Sequence, residues 1–157
     1  MQARLVKRER SYMVGIAVSI PSDQQQNIKL NKTVMKRLVS LQRYLTLQGT
    51  EEIIAIRSSK QHTEGHFDWV IGYDVPRRFL VHRDFTLCEV PSGTYFVGTK
   101  GARVESVYNS MKSHWVMAEM YDENKTLFER YTISGEDKRV EVFSRVKAKV
   151  NPLQNYA

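Results

Sequence analysis

The stretch Tyr12-Met13-Val14-Gly15 recurs in modified form as Tyr95-Phe96-Val97-Gly98. Each copy opens a predicted strand, and the same order of helix, strand and strand follows both copies. Self-similarity of this kind indicates an internal repeat. We therefore predict two βαββ units, the first over about residues 1–75 and the second over about residues 86–150, within a single domain that spans residues 1–157.

The first unit shows both the period of a strand and the period of a helix. Large and small side chains alternate from Tyr12 to Ile20, which predicts a strand with one large-residue face. Apolar residues then recur at helical spacing over residues 34–45 and predict an amphipathic helix that Gly49 can end. Two strands follow, over Ile53–Arg57 and Phe67–Val75.

The second unit repeats this order with a shorter loop. A strand around Gly93–Thr99 leads into a helix, and strands over Leu127–Ile133 and Arg139–Val150 follow, joined by a hairpin turn at residues 134–137. Pro76–Phe85 joins the two units. One face of the helix carries the apolar and aromatic residues Val104, Val107, Tyr108, Met111, Trp115 and Ala118.

Two such units define an α+β fold. Their strands can pair into one antiparallel sheet with both helices on one face and with pseudo-twofold symmetry. The symmetry places a cleft between the halves, and clefts of this kind are common sites for small molecules.

Composition limits the classes of partner. Hydrophobic residues make up 41% of the chain and charged residues 26%, as in ordinary globular proteins. The net charge of +7 raises the question of nucleic acid, but the basic residues are spread along the chain without helix-turn-helix spacing, so we do not expect direct nucleic-acid binding.

Cysteine content and hydropathy suggest a location. Cys88 is the only cysteine, so the chain can form no intrachain disulfide, and a reducing cytoplasm is the expected compartment. The apolar stretch from Tyr12 to Val18 is too short for a membrane span of about 20 residues. We therefore expect no membrane partner.

Glu129 is the candidate charge in the cleft. Along its strand it shares a face with Leu127, Tyr131 and Ile133, so the carboxylate is predicted to lie among apolar and aromatic neighbours. Burial of an unpaired charge is costly. The group must therefore raise its pKa, find a protein cation such as a nearby basic side chain, or wait for a cationic ligand.

Aromatic side chains could complete a binding site. Trp69 and Tyr73 share one face of their strand, Tyr131 lies beside Glu129, and Trp115 lies on the helix stripe. Flat rings stack on flat hydrophobic ligands and attract cations. The alternative is that Trp115, and equally Trp69 and Tyr73, serve only as core residues.

Several blocks of the chain resemble the GyrI-like family of AraC-type effector-binding domains. The signature Phe128-Glu129-Arg130-Tyr131 follows a helix bearing Trp115 and precedes Val140-Glu141-Val142-Phe143. Asp68–Tyr73 and Val90–Tyr95 match other recurrent blocks of that family. The resemblance extends over nearly the whole chain.

The resemblance implies a duplicated βαββ fold and a multidrug-binding role linked to bacterial transcription regulation. In such regulators a strand glutamate in an aromatic pocket meets cationic drugs, and Glu129 occupies the matching position. Phe143 falls where the family often places a pocket aromatic. The expected ligand is thus an amphipathic cation bound by Glu129, Trp69, Tyr73, Tyr131, Trp115 and Phe143.

Two alternatives come from other classes of protein. The chain carries no attached DNA-binding domain, so we expect a free-standing member, which could instead modulate gyrase or engage another protein partner. The resemblance also implies an enzymatic alternative, a hydrolase of reactive cyclopropane-containing toxins, in which Glu129 would be the acid or base and Glu89 or Glu141 a second carboxylate. We do not favour an enzyme.

Metal and cofactor sites find no support in the sequence. His62 and His66 lie in a predicted loop, so their spacing does not place both rings on one face. The run Gly98–Gly101 lacks the full spacing of a phosphate loop and reads as a tight turn. We expect no metal, no cofactor and no catalytic nucleophile.

Overall fold

The structure is a computed structural model that describes residues 2–21, 31–46, 52–57, 65–99, 104–113, 126–132 and 139–146. Within these residues, eight strands form one antiparallel sheet, and two helices accompany it. The elements are β1 (Gln2–Arg8), β2 (Ser11–Pro21), α1 (Lys32–Leu45), β3 (Glu52–Arg57), β4 (His66–Val75), β5 (Thr86–Val90), β6 (Gly93–Thr99), α2 (Val104–Ser113), β7 (Leu127–Thr132) and β8 (Arg139–Arg145). This confirms the predicted α+β class.

The strand order β1-β6-β8-β7-β3-β4-β2-β5 is symmetric about its centre. The first unit contributes β2, β4 and β3, and the second contributes β6, β8 and β7 in the mirrored positions. Each unit also has a leading strand that the sequence did not predict, and this strand crosses to the other unit. β1 pairs with β6, and β5 pairs with β2, so the two halves are interlocked.

The structural repeat is shifted by one residue from the alignment of the two sequence motifs that suggested it. The two crossing strands set the equivalence, because Ser11 pairs with Val90 and Gly93 pairs with Arg8. Ser11 is therefore equivalent to Gly93. Tyr12 packs against the core on the helix side of the sheet, whereas Tyr95 is buried on the opposite side. The duplicated order of elements is real, but these two tyrosines do not correspond.

The pseudo-twofold axis passes through the pair formed by Ala55 and Glu129. The equivalence of Ser11 with Gly93 can be extended through the strand pairs β2–β4–β3 in the first unit and β6–β8–β7 in the second. It then matches β3 with β7 and Ala55 with Glu129. These two residues also lie directly opposite each other in the β3–β7 pair. Glu129 thus stands at the centre of the sheet, and its partner there is the small side chain of alanine.

The sheet separates two cores. On the helix side, apolar residues from both helices pack on the strands, including Leu38 and Leu41 of α1 and Val107 and Met111 of α2. Both helices therefore cover the same face, as predicted. Burial of a leucine-sized side chain stabilises the fold by about 1.5–3 kcal/mol.

The other side is the inside of a curled half-barrel. Its core contains Tyr95, Phe128 and Phe143, and the guanidinium carbon of Arg8 lies 5.0 Å from the centre of the Phe128 ring, although two strands separate β1 from β7. Glycine allows a close approach of β4 to β2 on this side. A Cβ atom on Gly72 would lie 2.0 Å from the carbonyl oxygen of Val14.

Polar groups define both ends of α1. The side chain of Asn31 accepts a hydrogen bond from the amide of Val34 at 2.9 Å, which satisfies a free donor of the first turn. Thr46 ends the helix in a left-handed conformation with φ of 54°. Gly49, the predicted terminator, and residues 134–137, the predicted hairpin turn, lie outside the described residues. No helix in the part of the chain described here is long and apolar enough to cross a membrane.

Candidate ligand-binding site

Glu129 is fully buried on the helix side of the sheet. Its side chain has no solvent exposure, and its cross-strand neighbours are Ala55 on β3 and Val142 on β8. The alternation along β7 places Leu127 and Tyr131 on the same side. The sequence prediction of a carboxylate among apolar and aromatic neighbours therefore agrees with the structure.

Two tyrosine hydroxyls hold this carboxylate. The hydroxyl of Tyr131 donates to Oε1 of Glu129 at 2.5 Å, and the hydroxyl of Tyr108, on α2, donates to Oε2 at 2.5 Å. Each carboxylate oxygen thus has a neutral donor. Such hydrogen bonds to a charged group contribute about 1.5–3 kcal/mol each.

Burial and the nearby carboxylate also act on the two tyrosines. Burial raises the pKa of Tyr131, and the negative charge and hydrogen bond of Glu129 raise it further. The same causes hold the pKa of Tyr108 well above its usual value, while the charge of Arg57 opposes them. Both hydroxyls therefore keep their protons in the folded protein and remain donors.

Tyr108 was not among the predicted site residues. The sequence placed it on the apolar stripe of the second helix, where an aromatic residue is usually part of a core. Only the fold shows that this stripe lies over the strand bearing Glu129. A tyrosine among aliphatic residues was the available signal, because a buried hydroxyl requires a partner.

Trp69 and Tyr73 lie on the same side of the sheet as Glu129. They flank Ile71, which continues the cross-strand row from Glu129 through Ala55. Trp69 is fully buried and Tyr73 is 5% exposed, and both belong to the helix-side core. The structure thus assembles four of the six predicted site residues on one side: Glu129, Tyr131, Trp69 and Tyr73.

Phe143 lies on the opposite side. It pairs with Phe128, whose side chain points away from that of the adjacent Glu129, and the two phenyl rings stack with centroids 4.3 Å apart. The β8 residue beside Glu129 is Val142 instead. The structure therefore does not bring Phe143 to the carboxylate, and Trp115 lies outside the described residues.

The two proposed second carboxylates are also placed elsewhere. Glu141 lies on the inner side, where it accepts hydrogen bonds from Arg130 at 2.7 Å and from Arg4 at 3.0 Å. Burial alone would raise the pKa of Glu141, but these two guanidinium groups outweigh it and lower the pKa. Glu89 lies on the edge strand β5, four strands from β7.

Fold and site together define a class of protein. A curled antiparallel sheet of two interlocked units, with a buried glutamate on its helix side at the symmetry axis, has the architecture of a GyrI-like effector-binding domain. Residues 4–148 match the family described as integron-associated effector binding protein. The chain belongs to that family.

Solved structures with the same fold support this assignment. An integron cassette protein from the mobile metagenome of Vibrio cholerae is 13% identical, with 94% of this chain and 97% of that chain covered and a TM-score of 0.63. SAV2435, solved with bound tetraphenylphosphonium, is 18% identical, with 94% and 95% covered and a TM-score of 0.63. The C-terminal domain of EcmrR is 14% identical, with 95% and 98% covered and a TM-score of 0.57. At these identities the likeness concerns the fold.

EcmrR has also been solved in a complex with DNA, in a structure that is 11% identical, with 95% of this chain and 58% of that chain covered and a TM-score of 0.56. Comparison with the curated proteins gives no match.

Proposed function

We propose that this protein binds an amphipathic, lipophilic cation on the helix side of the sheet, with Glu129 as the charge partner. The observation that carries the proposal is a carboxylate with no solvent exposure at the symmetry axis, bounded by an alanine on one neighbouring strand and a valine on the other. Buried ionisable groups of this kind concentrate at functional sites.

The surroundings of Glu129 suit a cation better than an anion or a neutral ligand. The hydroxyls of Tyr108 and Tyr131 donate to the carboxylate, and neither hydroxyl carries a positive charge. A bound cation would gain Coulombic attraction in a region from which water is excluded. The tyrosine rings, with Trp69 and Tyr73 farther along the same face, offer aromatic surface to the apolar part of such a ligand.

Tyr108 is the residue that must yield to the ligand. Glu129 and Tyr131 are buried in the sheet-side layer, whereas Tyr108 is half-buried and comes from the helix above it. A ligand that reaches the carboxylate from the helix side of the sheet therefore displaces the Tyr108 hydroxyl first. Tyr131 keeps its hydrogen bond to Glu129 and orients the carboxylate.

The relatives are consistent with this chemistry. The structure of SAV2435 contains tetraphenylphosphonium, a lipophilic cation, in a protein of the same fold. The family description names an effector-binding protein. These relationships support the choice of ligand class for this chain.

Calorimetric titration with tetraphenylphosphonium, and with neutral triphenylphosphine oxide, tests the proposal. The Glu129→Gln variant keeps the size of the side chain but removes its charge, so we expect cation affinity to fall at least about tenfold, the equivalent of about 1.4 kcal/mol. The matched control is Glu52→Gln, an exposed carboxylate on β3, which should leave affinity unchanged. Equal binding of the cation and the neutral compound, unaffected by Glu129→Gln, would falsify the charge-partner role.

A further inference from the structure

A surface loop outside the binding site combines exposed apolar and basic side chains. We define the arginine loop as residues 76–85, which read Pro-Arg-Arg-Phe-Leu-Val-His-Arg-Asp-Phe and connect the two units. Leu80 at its tip is 97% exposed, and the adjacent Phe79 is 37% exposed. An isolated exposed leucine is ordinary on a protein surface. Leu80 differs from such a residue because charged side chains lie beside it and because its loop is anchored to the protein.

The arginine loop is fixed to the body of the protein at both ends. On one side, the amide of His82 donates to the hydroxyl of Tyr44 on α1 at 2.9 Å, and the rings of Tyr44 and Phe85 lie 5.0 Å apart. On the other side, the guanidinium carbon of Arg78 lies 6.0 Å from the ring centre of Tyr12 on β2. The exposed tip is therefore presented on a fixed base.

Positive charge flanks the tip. Arg77, Arg78 and Arg83 are exposed within the arginine loop, and Arg10 lies 5.7 Å from the same Tyr12 ring that Arg78 approaches. The one acidic residue of the loop, Asp84, lies 3.2 Å from His82. Two neighbouring apolar side chains thus project from a cluster of guanidinium groups.

We propose that the arginine loop docks the protein on the surface of an anionic lipid bilayer. The arginines would contact lipid phosphates while Leu80 and Phe79 enter the interface between head groups and acyl chains, the combination that interfacial anchors use. Nucleic acid has a similar charge but offers no acyl layer that Leu80 could enter. This proposal concerns peripheral contact and differs from the sequence-based expectation of no membrane partner.

Membrane docking stands independently of the ligand proposal. If both hold, the binding site would lie beside the surface at which lipophilic cations accumulate, and that consequence rests on the proposed function. The arginine loop connects β4 to β5, whereas Glu129 lies on β7 at the centre of the sheet. Changes in the loop should therefore leave binding of tetraphenylphosphonium in solution unchanged.

Flotation of the full chain with vesicles tests the docking proposal. The protein should bind vesicles of phosphatidylglycerol and phosphatidylethanolamine in equal proportion, and not vesicles of phosphatidylcholine. Leu80→Ser should weaken binding about tenfold, as expected for the loss of one buried leucine side chain. Val39→Ser, which alters another exposed apolar side chain, on α1, should have no effect.

A charge-matched pair of double variants separates the loop from the overall positive charge. Arg77→Glu with Arg78→Glu should abolish vesicle binding, whereas Lys36→Glu with Arg37→Glu, the same change of charge on the exposed face of α1, should retain most of it. Equal losses in both double variants, or full binding by Leu80→Ser, would overturn the proposal. So would self-association in sedimentation that Leu80→Ser removes, because the occupant would then be a second copy of the chain.

Discussion

The hydroxyls of Tyr108 and Tyr131 link the stability of the fold to alkaline pH. Burial and the charge of Glu129 raise the pKa of both tyrosines in the folded state, while tyrosines of the unfolded chain ionise near a pKa of about 10. A raised folded-state pKa means that their contribution to stability is complete below about pH 10 and is lost as the pH rises beyond that value.

We therefore expect the free energy of unfolding of the native protein to fall more steeply above about pH 10 than that of the double variant Tyr108→Phe with Tyr131→Phe. Near pH 7 the double variant should be less stable by about 3–6 kcal/mol, because two hydrogen bonds to a buried carboxylate are lost. Urea unfolding between pH 7 and pH 11 measures both effects. Parallel pH profiles would show that these hydroxyls do not carry the dependence.

Single residues also show what strand alternation can and cannot predict. Alternation alone placed Glu129 and Tyr131 on one buried face, because both belong to the same strand. It could not relate Phe143 to Glu129, since the faces of two strands are aligned only when their register is known. Val142, and not Phe143, lies opposite Glu129. Tyr108 was not predicted as a site residue for a similar reason. Its contact with Glu129 joins a helix to a strand, and alternation along one strand cannot show which helix covers it.

At the scale of elements, the sequence predicted the strands and helices with a strong apolar pattern and missed the two crossing strands. β1 contains Arg4, Lys7 and Arg8. Such charges are common on an edge strand, which has a neighbouring strand along only one of its two edges. β5 has only five residues and one fully buried side chain, that of Val90. Neither strand has a hydrophobic periodicity that distinguishes its sequence from that of a loop. Their pairing with the opposite unit stabilises them instead.

The amino-terminal cap of α1 gives a prediction for one element. Asn31→Ala removes the side-chain acceptor for the amide of Val34, so the free energy of unfolding should fall by about 1 kcal/mol. Thr33→Ala, an exposed change in the same turn, should alter it by less than about 0.5 kcal/mol. Thermal and urea unfolding of both variants provide the comparison. Equal losses in both variants would show that the Asn31 side chain does not stabilise the helix specifically as a cap.

At the scale of the whole molecule, the crossing strands should make the two units unfold together. β1 is the leading strand of the first unit but completes the sheet of the second, and β5 is the leading strand of the second unit but completes the sheet of the first. Opening either unit therefore breaks strand pairs in both. β3 and β7 join the units at the centre, where the Ala55–Glu129 pair lies. The carboxylate of Glu129, the proposed charge partner of the ligand, thus lies at the point that depends on both halves.

Native-state hydrogen exchange can measure this coupling through the variant Leu5→Ala. Leu5 is a buried residue of β1 that pairs with Phe96 in β6, and its truncation should cost about 2–5 kcal/mol. If the units unfold together, the exchange free energies of slowly exchanging amides in β3 and β4 should fall by the same amount as those in β6 and β8. A loss confined to β6 and β8 would show that the second unit opens alone. In that case the interlocked strands would not be enough to make the two units unfold together. A ligand bound at Glu129 would then have to supply the coupling between the units.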